Sequence, residues 1–89
     1  MDSENYLDHP TFGLLFKVCI VEENRELFST LYAQRLFFVV TSSSNEMNFE
    51  PIGRSDAKSL VESRMRMLRR TRLYKEYDQL QEVHKRTFQ

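Results

Sequence analysis

The sequence predicts an α+β fold: a small twisted sheet or barrel over residues 1–53, then a helical extension over residues 54–89. Three observations carry this. Both glycines (Gly13, Gly53) and both prolines (Pro10, Pro51) lie in the first 53 residues, and neither type occurs afterwards. The β-branched and aromatic runs are confined to that first part, where apolar residues alternate with a period of two. After Gly53 the apolar period becomes 3.6, so the class of secondary structure changes there.

Phe12 to Val21 reads as a strand, with Phe12, Leu14, Phe16, Val18 and Ile20 alternating with the residues between them. Glu22-Glu23-Asn24 is a turn. Residues 25–41 are rich in Leu, Phe, Tyr and Val but too long for one strand, so the run must bend, with Ala33-Gln34 as the expected place. Ser42 to Asn45 is a loop. Met47 to Ile52 is a last strand, and Pro51 assigns it to a sheet edge because proline cannot donate to a ladder. Several short strands separated by turns are the pattern of a small barrel or twisted sheet.

Helix starts are offered by Ser59-Leu60-Val61-Glu62, which has capping-box spacing, and earlier by Ser55-Asp56. Ala57, Leu60, Val61, Met65 and Leu68 form one apolar stripe; Leu73, Tyr77, Leu80, His84 and Phe88 form a second, with Val83 beside it. Glu62/Arg66 and Glu82/Arg86 have i,i+4 spacing on the polar faces. Arg69-Arg70-Thr71-Arg72 separates the stripes, with Thr71 as the one cap candidate and no strong breaker. A single helix of about 50 Å and a two-helix hairpin are both compatible with this pattern.

A domain of this size has a thin core. The chain of 89 residues has a formal net charge of zero, yet residues 1–53 carry three basic and eight acidic side chains (−5), and residues 54–89 carry ten basic and five acidic (+5). This acidic head and basic tail invite two separate partners, or one half folding onto the other. No apolar stretch approaches the length of a membrane span. The polar start and the single cysteine, Cys19, predict a chain of the reducing cytoplasm with no disulfide.

Catalysis has little support. His9 and His84 lack a nucleophile or an acidic partner at a recognised spacing. His84 reads as a half-buried packing residue and Cys19 as a small core residue. No metal-ligand spacing and no phosphate-cradling glycine loop is present, so no cofactor is expected. Arg66, Arg69 and Arg70 share a helix face that could meet phosphates, but the aromatic interleaving of single-strand binders is missing. Tyr32-Ala33-Gln34-Arg35-Leu36-Phe37-Phe38 reads differently. A sheet of this size has one interior, so part of Leu36, Phe37 and Phe38 must face outward, and tyrosine and arginine are frequent interface anchors.

Longer strings narrow the reading. Ser3-Glu4-Asn5-Tyr6-Leu7, His9 to Leu15, Glu26-Leu27-Phe28, Thr30 to Phe38, Phe49 to Arg54, Leu68-Arg69-Arg70, Glu76-Tyr77 and Gln79-Leu80-Gln81 together resemble PipX, the cyanobacterial PII-interacting protein X family, in register over essentially the whole chain. The loops at 21–25 and 41–48 do not share the resemblance. It implies a Tudor-like, KOW-type β-barrel followed by two α-helices. It also implies a non-enzymatic adaptor with two competing partners: the trimeric PII signalling protein and the dimeric nitrogen regulator NtcA. By this resemblance the chain is released from PII when 2-oxoglutarate is abundant and then co-activates NtcA; when nitrogen is plentiful PII sequesters it. The metabolite is read by the partners, and the chain binds no small molecule of its own. The implied shared surface comprises Glu4, Tyr6, Tyr32, Gln34, Arg35, Leu36 and Phe38. Arg66, Arg69 and Arg70 are left as a secondary contact for RNA polymerase, DNA or a further regulator. The rival reading is a small Tudor/KOW-like nucleic-acid-binding module acting through the basic helices.

Overall fold

The computed structural model describes residues 5–31 and 36–88. Among the described residues five strands, β1 (Tyr6–His9), β2 (Gly13–Glu22), β3 (Arg25–Thr30), β4 (Phe37–Ser42) and β5 (Met47–Ile52), precede two helices, α1 (Arg54–Arg70) and α2 (Tyr74–Phe88). The strands form one antiparallel sheet in the order β1-β2-β3-β4-β5. The sheet is an open, curled half-barrel with β1 and β5 at its edges, so Pro51 lies on an edge strand as its missing donor requires. β1 had no counterpart in the sequence reading, because four residues are too few to show a period.

The curl is closed by side chains rather than by a fifth ladder between β1 and β5. The His9 ring on β1 stacks on Phe38 of β4 at 5.2 Å and meets Phe49 of β5 edge-on at 5.0 Å. His9 Nδ1 accepts the backbone N–H groups of Thr11 and Phe12, fixing the ring over the mouth of the curl. Beneath it Leu15, Phe28, Phe38 and Val40 form a buried cluster, with Leu7 and Phe49 at its rim. Full burial of such a side chain contributes about 1.5–3 kcal/mol.

The other face of the sheet is buried as well, which overturns the expectation of a single interior. Val18, Cys19, Leu27, Phe37 and Val39 meet Ala57, Val61 and Leu68 of α1 and Leu80 and Phe88 of α2. Two interiors explain why Phe37 and Phe38 are both buried although they point in opposite directions: Phe37 stacks on Phe88 at 5.5 Å. They also explain the broken alternation in β2. Lys17 pairs with Phe28 and Cys19 with Leu27, so Val18 is the extra residue of a bulge, and Val18 and Cys19 both enter the helix-side core.

α1 begins directly after Gly53, whose extended backbone supplies the N-cap without a side-chain hydrogen bond; the Ser59 capping box is not used. The basic junction resolves into a hairpin. The N–H of Leu73 donates to the Leu68 carbonyl and the N–H of Arg72 to the Arg69 carbonyl, while Arg72 takes a left-handed conformation (φ 64°). This is the Schellman termination, with arginine where glycine is usual. Thr71 Oγ1 donates to the Met67 carbonyl. Leu73, expected in the second stripe, sits at the exposed hairpin tip; Tyr77, Leu80, Val83, His84 and Phe88 face inward as expected. No helix among the described residues is long and apolar enough to cross a membrane.

Candidate protein-binding surface

The strand register brings Tyr6, Phe16, Ser29, Phe37 and Ile52 into one row across the sheet. Just beyond the row, at the same end, stand Leu31 and Leu36. The β3–β4 connection is clamped at its base: the Thr30 N–H donates to the Leu36 carbonyl, and the Leu36 N–H donates to Thr30 Oγ1, each at 3.0 Å. The clamp leaves both leucines 39% exposed, and Tyr6 is 51% exposed on the edge strand. Three large apolar side chains therefore reach solvent at one end of a rigid sheet, where burial by a partner would be favourable.

Of the expected surface residues, Tyr6 and Leu36 are exposed here. Phe38 is not: it is 3% exposed and lies in the curl beneath His9 and Phe12. The expectation that it faced outward rested on a one-sided sheet, and the helices removed that premise. Glu4, Tyr32, Gln34 and Arg35, together with the bend expected at Ala33-Gln34, lie outside the described residues. Leu31 was missed by sequence reasoning. Strand alternation alone does not reveal that the chain leaves the ladder at Thr30 and turns its next side chain outward.

The basic helix face is a second, separate surface. Arg66, Arg69 and Arg70 are all exposed. Arg66 and Arg69 line a groove of about 210 Å³ with Glu62, Met65 and Tyr77, and the Arg69 guanidinium lies 5.9 Å from the Tyr77 ring centre; Arg70 is not among the lining residues. The expected Glu62/Arg66 pair is absent. Glu62 Oε2 instead accepts a hydrogen bond from His84 Nε2 at 2.9 Å across the helix interface, and Arg66 donates to Ser63 Oγ. His84 thus has the acidic partner that spacing along the chain did not reveal, because 22 residues separate the two. The hydrogen bond to His84 holds the Glu62 carboxyl below its ordinary range.

These groups offer little for catalysis. Burial pushes the Cys19 thiol up to about 12, which keeps it protonated and poorly nucleophilic. Among the described residues no three His, Cys, Asp or Glu side chains converge on a metal position.

A family model, PipX: PII-interacting protein X, matches residues 3–88. No curated protein matches the chain. The match covers nearly the whole sequence, and the chain belongs to the PII-interacting protein X family, which implies PII as a partner.

Proposed function

We propose, from membership of this family, that the chain is a non-enzymatic cytoplasmic adaptor whose β-domain, residues 1–53, binds PII and NtcA in turn, while residues 54–89 form an appended extension. The observation that carries the reading is the family match over residues 3–88. The exposed apolar group Tyr6, Leu31 and Leu36 at one end of the sheet supports it as a place for such binding. Tyr6, Tyr32 and Leu36 serve as apolar anchors, and Glu4, Gln34 and Arg35 orient the partner. Phe38 acts from beneath, as part of the packing that keeps the sheet rigid.

The regulation is competition for one surface. A partner whose affinity depends on 2-oxoglutarate shifts the chain towards the other partner by mass action, with no change needed in the adaptor itself. Under nitrogen shortage PII releases the chain, which then stabilises active NtcA; under nitrogen sufficiency PII holds it. The basic groove at Arg66 and Arg69, with Arg70 beside it, is left free for RNA polymerase, DNA or a further regulator.

The test is calorimetric titration of the chain into purified trimeric PII, once with ADP and once with Mg-ATP plus 2-oxoglutarate. Binding with ADP that weakens strongly in the second condition is expected, and Tyr6→Ala should lower the ADP-state affinity about tenfold or more, as loss of an interface anchor does. Absence of binding in both conditions would sink the adaptor reading. A steep salt-dependent affinity for DNA, abolished by changing Arg66, Arg69 and Arg70, would favour the nucleic-acid module instead.

A further inference from the structure

Between the edge of the sheet and the end of α2 lies a cleft of about 330 Å³ lined by Tyr6, Phe16, Leu31, Arg86 and Thr87. Its two sides come from parts of the chain about 55–80 residues apart in sequence, and they meet because Phe88 is anchored on Phe37 of the same strand row. The sheet side offers an aromatic edge and two apolar surfaces. The helix side offers a guanidinium.

Among the described residues that guanidinium has no ion-pair partner. Helical spacing predicted an ion pair between Glu82 and Arg86, but the ion pairs among the described residues are Lys17–Glu26, Arg25–Glu22 and His84–Glu62. Arg86 is exposed, lines the cleft, and is its one charged described residue; no described acid lines it. A cleft with Tyr6, Phe16 and Leu31 on one wall, and Thr87 and one described positive charge on the other, suits one kind of occupant: an acidic side chain of a protein partner with an apolar neighbour beside it. The guanidinium takes the carboxylate, in the bidentate geometry it favours, and Leu31 and Tyr6 take the apolar neighbour.

We infer that Arg86 belongs to the PII-binding surface and pairs there with a carboxylate of PII. This rests on the reading of the Tyr6 end of the sheet as that surface. It extends the surface from the β-domain onto the last turn of α2, so the complete surface exists only while α2 is docked on the sheet.

The experiment is titration of PII, in the ADP state, with the full-length chain and with Arg86→Lys, Arg86→Gln and Arg86→Glu. Arg86 is exposed, so all three should fold, which thermal melting would verify. The expected series is a graded loss, smallest for lysine and reaching about tenfold or more for the charge reversal. The glutamine variant should also show a shallower dependence of affinity on salt than the parent chain. Affinities for all three within twofold of the parent, while Tyr6→Ala still weakens binding, would overturn the role of Arg86 and leave the surface reading intact. Failure of the parent chain itself to bind PII would remove the reading and the cleft's role with it.

Discussion

Phe37 and Phe38 are adjacent on β4, equally buried, and tied to different parts of the molecule. Phe38 points into the curl, where its neighbours His9 and Phe28 belong to the same sheet and Phe12 to the β1–β2 turn. Phe37 points the other way, onto Phe88 at the end of α2. One interior is thus made by the β-domain from its own residues, and the other exists only because two helices return to cover the outer face. The difference separates what holds the sheet in shape from what holds the tail against it. It also gives the two proposed surfaces different dependences: Tyr6, Leu31 and Leu36 are carried by the sheet and its β3–β4 connection, whereas the cleft at Arg86 needs α2 in place as well.

The comparison can be broken most directly from inside the curl. Phe38→Ala should cost about 3–5 kcal/mol, as large-to-small changes at buried aromatic positions do, with the loss read by urea denaturation. A cost below about 1 kcal/mol would mean that the curl is not a packed core. Leu80→Ala, in the helix-side core, should cost about 2–5 kcal/mol by the same argument. Its distinguishing effect is local. Amide exchange in α2 should accelerate more than exchange in β2–β4, whereas uniform acceleration would show that the two interiors unfold as one unit.

Smaller changes sharpen the comparison at the helix hairpin. Arg72 holds a left-handed backbone that costs a non-glycine residue roughly 1–2 kcal/mol. Arg72→Gly removes that cost and loosens the unfolded chain, so a net stabilisation of about 0.5–1 kcal/mol is expected in denaturation. A loss of stability would show that the arginine side chain contributes more than its backbone costs. The smallest effect belongs to Glu62. Its carboxyl is held below the ordinary value of 4.5, chiefly by the hydrogen bond to His84. The stability this adds is present above the unfolded value and is lost as pH falls through the lowered folded one. Glu62→Gln should flatten that acid limb of stability; an unchanged pH profile would show that the contact does not secure α2.

Much of the architecture was legible along the chain. The turn after Glu22, the loop after Ser42, the strand Met47–Ile52 and the change of class at Gly53 all follow from local signals: turn residues, proline, and the switch from period two to period 3.6. β1 was not legible, since its partner β2 rather than its own pattern makes it a strand. The helix break was legible only as an alternative, because it rests on a left-handed arginine and not on a glycine. The candidate surface was legible in part. Tyr6 and Leu36 stand exposed, but Phe38 was assigned outward on the assumption of one interior, Leu31 carried no signal as a surface residue, and Arg86 was marked only as an i,i+4 partner of Glu82.

The sequence by itself determined where the strands after β1 run, that the chain is helical after Gly53, where the β-domain turns, and the family to which its strings of residues point. Those properties depend on neighbours within a few positions, or on long strings matched in register. Only the tertiary structure decided that the sheet has two buried faces, that Glu62 answers His84 rather than Arg66, and that Arg86 faces Tyr6 across a cleft. Each of these depends on residues far apart in sequence meeting in space. No period or spacing along the chain records which face the helices return to cover.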